Sequence, residues 1–120
     1  NSVTESTNFP LNFSFCNISN ISNQNKNIIF VEESKLQIPL IIRKWNEGDF
    51  FYPAGMQGKK KVSKYFKDEK FSQFQKEATW ILESNNQIVW IIGHRADERF
   101  KPDNTNQNII QITYNNEKNS

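Results

Sequence analysis

The sequence predicts an α+β domain, built mainly on antiparallel sheet as a sandwich or partial barrel, with one or two short helices on one side. Strand-sized apolar segments separated by turn-forming residues occupy both ends of the chain. Helical spacing is confined to the middle, between Lys59 and Ala78. The length of 120 residues is typical of one domain, and no apolar run approaches the roughly 18 residues of a membrane-spanning helix.

Three strands are predicted in the N-terminal part. Apolar and polar side chains alternate over residues 11–16, which is the spacing of a half-buried strand. An Asn/Ser-rich turn leads to a short apolar strand at Ile28–Val31, and a longer strand is predicted at Leu36–Trp45. Pro39 indicates an edge position or a bulge in the longer strand, because proline cannot donate a hydrogen bond to a neighbouring strand.

Turns and helices are predicted next. The aromatic segment Phe50–Pro53 lies between turns at Asn46–Asp49 and Ala54–Gly55. Helical spacing then runs from Lys59 to Phe66 or Lys67, and a second short helix is predicted at Ser72–Ala78 with Ser72 as its N-cap. In the first helix one face would carry Val62 and Phe66, and another face would carry Lys60, Lys64 and Lys67.

A hairpin and a closing strand complete the domain. The hairpin pairs Thr79–Glu83 with Gln87–Gly93, and the last strand spans Asn108–Tyr114. We therefore predict a single domain over residues 9–114, a frayed segment at residues 1–8 and a polar tail at residues 115–120. Because the first residue is Asn1 rather than Met, we expect a processed chain or a piece of a longer protein.

Cysteine and histidine usage limits the chemistry. The single cysteine, Cys16, excludes an internal disulfide, and we expect a reducing, cytoplasmic location. One Cys and one His cannot build a usual zinc site, and the acids have no spacing typical of metal ligands, so we expect no metal. His94 and Asp97 are three residues apart, which leaves a small stand-alone enzyme as one hypothesis.

The positive charge is concentrated in one segment. Net charge is only +2, yet six lysines lie between Lys59 and Lys70 against Asp68 and Glu69. Further basic residues follow at His94, Arg95, Arg99 and Lys101, and Arg43 precedes them. Several cations on one surface favour nucleic-acid binding. The alternative is a structural or protein-interaction module whose lysine-rich helix only makes the surface soluble.

A nucleotide-binding phosphate loop does not fit the segment. Its motif, G-x-x-x-x-G-K-[ST], would end at Gly58-Lys59. Pro53 stands five positions before Gly58 where the first glycine belongs, and Lys60 stands where the motif has Ser or Thr for magnesium. The lysines therefore have to be explained in another way.

The order of several motifs resembles a known family. One block contains Pro39-Leu40-Ile41-Ile42-Arg43-Lys44-Trp45, Gly48-Asp49-Phe50-Phe51, Pro53-Ala54-Gly55-Met56-Gln57-Gly58-Lys59-Lys60-Lys61-Val62-Ser63-Lys64-Tyr65-Phe66, Asp68 and Lys70. A second block runs Ile88-Val89-Trp90-Ile91-Ile92-Gly93-His94-Arg95-Ala96-Asp97-Glu98-Arg99-Phe100-Lys101. Together, over about residues 28–114, they resemble the C-terminal domain of bacterial tRNA(Ile)-lysidine synthetases.

The resemblance implies a fold and a function. The family enzyme uses ATP, with magnesium, to join lysine to the wobble cytidine of the isoleucine tRNA with a CAU anticodon. That chemistry belongs to an N-terminal domain with an S-G-G-x-D-S loop, a motif that this sequence does not contain. The resemblance therefore implies a non-catalytic tRNA-binding domain without a cofactor of its own. Its implied partners are the tRNA(Ile) acceptor stem and the N-terminal catalytic domain, and its implied fold is similar to a domain of the phenylalanyl-tRNA synthetase β subunit.

Residues that match the family pattern carry the implied roles. Trp45, Phe66 and Trp90 are expected in the core, and Ser72 and Lys76 depart from the Pro and Arg of many relatives. The turn formers implied by the match are Gly48, Asp49, Gly55 and Gly58. The residues expected to contact RNA are Arg43, Lys59, Lys60, Lys61, Lys64, Arg95 and Lys101.

Overall fold

A computed structural model describes residues 9–16, 25–103 and 108–115. The segment predicted to be frayed, residues 1–8, lies outside these ranges. Of the predicted polar tail, residues 115–120, only Asn115 is described. No helix within the described ranges is long and apolar enough to cross a membrane.

The described residues form three antiparallel sheets and two short helices, which confirms the predicted fold class. The strands are β1 (Leu11–Cys16), β2 (Ile28–Glu32), β3 (Leu40–Lys44), β4 (Phe50–Phe51), β5 (Lys60–Lys61), β6 (Trp80–Ser84), β7 (Gln87–Ile91), β8 (Arg95–Ala96) and β9 (Ile109–Tyr114). The helices are α1 (Val62–Asp68) and α2 (Gln73–Glu77), and single 3₁₀ turns lie at Glu33–Lys35 and Glu98–Phe100. The strand orders are β1-β9-β2, β3-β6-β7-β8 and β4-β5.

The two larger sheets share one core. Leu11, Val31 and Ile112 from the three-stranded sheet cluster with Leu82 and Trp90 from the four-stranded sheet. All five side chains are at most 5% exposed, so their burial supplies much of the hydrophobic stabilisation. Face-to-face sheets of this kind form the predicted sandwich.

Helix α1 packs on the opposite face of the four-stranded sheet. Val62 and Phe66 are fully buried against Ile81 and Ile91, and Phe51 of β4 joins the same cluster. Trp45 packs edge-on against Phe66 with ring centroids 5.1 Å apart. The lysine-bearing segment is therefore anchored by its own apolar side chains.

A β-bulge places two consecutive residues of β7 in the same core. Leu82 pairs with Trp90 and Glu83 pairs with Ile88, which leaves Val89 as an extra residue on β7. Val89 and Trp90 consequently both face the core between the sheets, whereas Ile88 and Ile91 face α1.

Two elements begin three or four residues later than predicted. The strand predicted at Leu36–Trp45 begins only at Leu40, because the Ser84 hydroxyl group, rather than a neighbouring strand, bonds the backbone N–H and C=O of Gln37. Helix α1 begins at Val62 rather than Lys59, because Lys60 and Lys61 pair with β4 as strand β5. Lys60 therefore does not belong to the predicted helical lysine stripe.

The second helix is as predicted. Ser72 is the N-cap of α2: its Oγ accepts from the Gln75 N–H at 3.1 Å, and the Gln75 side chain accepts from the Ser72 N–H at 2.8 Å. This reciprocal capping box satisfies two N–H groups that a helix start otherwise leaves unpaired. Such a cap is useful here because α2 has only five residues and no buried side chain.

Candidate nucleic-acid interface

The lysine segment, residues 59–70, follows a turn that the rest of the domain holds in place. Gly55 and Gly58 both have φ of +84°, a conformation that favours glycine. The Ala54 N–H donates to the Ala96 carbonyl oxygen at 2.9 Å, and Arg95 donates to the Ala54 carbonyl oxygen from Nε at 3.2 Å and Nη2 at 2.8 Å. The turn is thus fixed to strand β8 rather than free in solvent.

Arg95 and Lys101 both lie beside this turn region. Arg95 is half-buried and uses two of its guanidinium nitrogens on Ala54, so its first role is to hold the turn. The Lys101 side chain is 59% exposed and lies 3.8 Å from a Glu98 carboxylate oxygen. The other Glu98 oxygen accepts from the Gly55 N–H at 2.9 Å.

Two lysines of the segment share one carboxylate. Asp68 lies 2.7 Å from Lys60 Nζ and 3.1 Å from Lys64 Nζ. Hydrogen bonds from Lys60 and then Lys64 lower the pKa of Asp68, while slight desolvation opposes the shift. Asp68 therefore stays ionised and offsets part of the charge of the segment. Counting charges along the sequence could not show which lysines this acid offsets.

The other lysines of the segment have no carboxylate within 4.0 Å among the described residues. All four side chains are exposed: Lys59, Lys61, Lys67 and Lys70. Lys59 Nζ lies 4.5 Å from the centroid of the Phe50 ring, which is cation–π distance. These four ammonium groups are the ones available to an anionic partner.

Arg43 has an intramolecular role. Its Nη1 and Nη2 donate to the two carboxylate oxygens of Asp49 at 2.9 and 3.1 Å, and its Nε donates to Glu83 at 2.6 Å. The Asp49 hydrogen bond is the main cause of the raised pKa of Arg43. The side chain of Arg43 is 25% exposed, and a guanidinium group committed to two carboxylates has little capacity left for phosphate.

Asp49 also organises the first predicted turn. Its carboxylate accepts from the Asn46 N–H at 2.7 Å, and its own N–H donates to the Asn46 carbonyl oxygen at 3.1 Å. Gly48, within the same turn, has φ of +95°. The turn therefore connects β3 to β4 and places Asp49 against Arg43.

His94 and Asp97 do not pair. Both Asp97 oxygens are taken: Arg99 donates from its backbone N–H, Nε and Nη2 at 2.7 to 3.0 Å, and the Tyr52 N–H donates at 2.9 Å. The His94 ring instead lies 4.8 Å from the Phe71 ring, and burial lowers its pKa. The hypothesis of an enzyme using this pair has no geometric support.

Sequence reasoning missed the acidic partners of the arginines. Glu83 and Asp97 are buried, at 8% and 2% exposure, and each pairs with an arginine. A carboxylate in an apolar strand is rarely buried without a partner. The position of Glu83 within Trp80–Ser84 was therefore the sequence signal that a basic side chain pairs with it. Among the described residues, no group of three or more His, Cys, Asp or Glu is arranged to hold a metal.

Comparison with known proteins identifies the family. The model of the TilS substrate C-terminal domain matches residues 40–113. The chain belongs to this family. The match covers the turns, the lysine segment and both motif blocks except Pro39, and it confirms the resemblance that the sequence suggested.

Similar proteins carry one printed name, tRNA(Ile)-lysidine synthase. The one from Parabacteroides distasonis is 45% identical over 91 residues, which is 76% of this chain and 21% of that protein. The one from Bacteroides thetaiotaomicron is 47% identical over 79 residues, which is 66% of this chain and 18% of that protein. The chain thus spans about a fifth of the length of the relatives it matches.

A solved structure shares the fold. It is described as the crystal structure of the TILS C-terminal domain and superposes with a TM-score of 0.77. The match covers 92% of this chain and 85% of that one at 20% sequence identity, so it establishes the common architecture.

Proposed function

We propose that this TilS-family domain is the non-catalytic tRNA-binding part of a tRNA(Ile)-lysidine synthase and that it holds the acceptor stem of tRNA(Ile). In this proposal ATP, magnesium and the ligation of lysine to the wobble cytidine belong to an N-terminal catalytic domain of the same enzyme. Family membership and the printed names of the relatives support the proposal. The domain would bind RNA in the cytoplasm and catalyse no step itself.

The observation that carries the proposal is a set of four lysines without an acidic partner in the described part of the chain: Lys59, Lys61, Lys67 and Lys70. They lie within twelve residues of chain, in or directly beside β5 and α1, and the apolar side chains of α1 are buried. The nearby arginines, Arg43 and Arg99, are neutralised by buried or half-buried carboxylates. Affinity for RNA phosphates would therefore come from lysine.

A lysine surface is better suited to binding the backbone of duplex RNA than to recognising individual bases. The major groove of an A-form stem is too narrow for side chains, so proteins bind such stems through phosphates, 2′-hydroxyl groups and shape. Ammonium groups are point charges that neutralise phosphates and distinguish bases poorly. Selection of one tRNA would then depend on how the stem is presented to the catalytic domain.

The proposal is tested with two RNA hairpins of equal length, measured by fluorescence anisotropy with the 120-residue chain. One hairpin copies the acceptor stem of tRNA(Ile), and the other copies its anticodon stem. Tighter binding of the first supports acceptor-stem recognition. Equal binding of both would reduce the function to general RNA binding, and binding of neither would remove RNA as the partner.

A second candidate function is a protein-interaction surface. Phe74 on α2 is 77% exposed and lies beside a groove lined by Trp80, Ile92 and Tyr114. An exposed aromatic side chain next to a groove with apolar side chains in its lining is a feature of many interfaces. In the complete enzyme the catalytic domain of the same chain would be the partner. A Phe74→Ser variant of the complete enzyme that retained tRNA binding but lost lysine ligation would favour this candidate.

A further inference from the structure

The groove beside Phe50 combines an exposed aromatic ring with polar groups. Phe50 is 41% exposed, whereas its neighbour Phe51 is fully buried, because successive strand residues point to opposite faces. The groove has a volume of about 370 Å³. Its lining includes Arg43, Asn86, Gln87, Ile88 and Arg99 together with Phe50.

Phe50 belongs to a fixed array of rings and cations. Lys59 Nζ lies 4.5 Å from the Phe50 centroid, and the Phe50 and Tyr52 rings meet edge to face at 6.2 Å. Arg99 lies 4.3 Å from the Tyr52 centroid and is held there by Asp97. The array is therefore ordered before any ligand arrives, so a ligand that stacks on Phe50 loses little side-chain freedom of the protein.

The polar side of the groove is formed by the turn between β6 and β7. Asn85 and Asn86 have φ of +48° and +71°, and both side chains are exposed. The Asn85 amide donates to Gln37 at 2.7 Å, but the side chains of Asn86 and Gln87 have no hydrogen-bond partner within the described ranges. Free carboxamides offer both a donor and an acceptor to the edge of a planar ligand.

We propose that the Phe50 groove binds one unpaired nucleotide at a single-stranded end of the RNA that the lysine segment holds, with its base stacked on Phe50. Nucleobases stack on aromatic side chains irrespective of sequence, and nearby cations hold the backbone. Lys59 is the cation for the adjoining phosphate, since Arg43 and Arg99 are neutralised by acids. This inference rests on the proposed RNA-binding function and adds a single-stranded element to a duplex contact.

The test compares two forms of the acceptor-stem hairpin with the 120-residue chain. One form is blunt, and the other carries a short unpaired 3′ extension that contains the fluorescent base 2-aminopurine. We expect the extended hairpin to bind roughly tenfold more tightly than the blunt one, and its fluorescence to be quenched on binding. Phe50→Leu should remove the preference and the quenching, and Phe50→Tyr should retain both.

Phe15→Leu is the matched control, because it makes the same substitution at an exposed phenylalanine outside the groove. It should leave the preference intact. Equal binding of the blunt and extended hairpins by the unaltered chain, without quenching, would overturn the stacking proposal while RNA binding stood. A Phe50→Leu variant that kept the preference would also overturn it. Binding of neither hairpin would remove both the proposed function and this inference.

Discussion

Arg43 and Asp49 form a two-bonded ion pair, with Nη1–Oδ2 at 2.9 Å and Nη2–Oδ1 at 3.1 Å, and Glu83 accepts the remaining Nε–H at 2.6 Å. The pair joins the end of β3 to the turn before β4, and through Glu83 it joins both to β6. Arg43 matches the family pattern and was therefore expected to contact RNA. In the described part of the chain its side chain instead holds β3, β6 and the turn before β4 together.

Arg43→Ala should lower the free energy of unfolding. It should leave the affinity for RNA unchanged, because two acids already offset the positive charge of Arg43. Removing the guanidinium group takes away the arginine partner of the buried Glu83 and of the half-buried Asp49, which costs about 2 kcal/mol of the free energy of unfolding. Arg43→Lys should recover only part of this, because lysine cannot bond both Asp49 oxygens in parallel. Urea unfolding measures the loss, and Lys61→Ala, an exposed lysine of the same region, is the control. A fully stable Arg43→Ala variant would show that the ion pairs contribute nothing.

Gly58→Ala should be destabilising because of backbone conformation alone. A Cβ at Gly58 would meet no atom within 4 Å, so steric contact is not the cause. With φ of +84°, a side chain costs about 1 kcal/mol relative to glycine. Gly58→Asn is the control, since asparagine tolerates positive φ better than alanine and should lose less in urea unfolding. Equal losses for the two variants would contradict this explanation.

His94 should make stability fall in mild acid. Burial, and secondly the nearby charge of Lys26, lower the pKa of His94 below its ordinary value of 6.5, and Glu69 opposes them. The folded chain then binds the His94 proton less readily than the unfolded chain. The contribution is complete above pH 6.5 and is lost as pH falls through the lowered folded pKa.

The measurement is the free energy of unfolding of the unaltered chain and of His94→Gln across this pH range. The difference between them should shrink or reverse in acid, because the variant has no group to protonate at this position. A difference that is constant with pH would rule out the titration of His94 as its cause.

Asp68→Asn should strengthen RNA binding. It releases Lys60 and Lys64 from their shared carboxylate and removes a charge that repels phosphates. We expect a gain of about threefold at low salt that diminishes as salt rises. Glu69→Gln is the control, because it makes the same change in net charge one residue away without releasing those two lysines. Equal gains for both variants would show that only net charge matters.

The elements that the sequence predicted best are those with repeated spacing or a local signal. Alternation identified β1, and Ser72 identified the start of α2 because a capping box is complete within four residues. Strands β5 and β8 have two residues each, too few for any periodicity, and their pairing depends on residues distant in sequence. The apparent helical stripe that included Lys60 was wrong for that reason.

The roles of the basic residues could be predicted only in part. Family resemblance pointed to the lysine segment, which the structure shows as an exposed face beside a well-packed helix. It could not separate free cations from paired ones, because pairing depends on distant partners: Glu83 is 40 residues from Arg43, and Asp68 serves two lysines at once. Only the three-dimensional arrangement distinguishes Lys59 and Lys61 from Arg43.

The most direct test of tRNA binding through the lysine segment is the salt dependence of affinity for Lys59→Ala/Lys61→Ala. If each lysine neutralises one phosphate, the slope of log affinity against log salt should become shallower by about 1.4 to 1.8 relative to the unaltered chain. The control Lys26→Ala/Lys76→Ala removes two lysines outside the segment and should leave the slope unchanged. An unchanged slope for Lys59→Ala/Lys61→Ala, with the protein folded, would contradict the assignment of this surface to RNA.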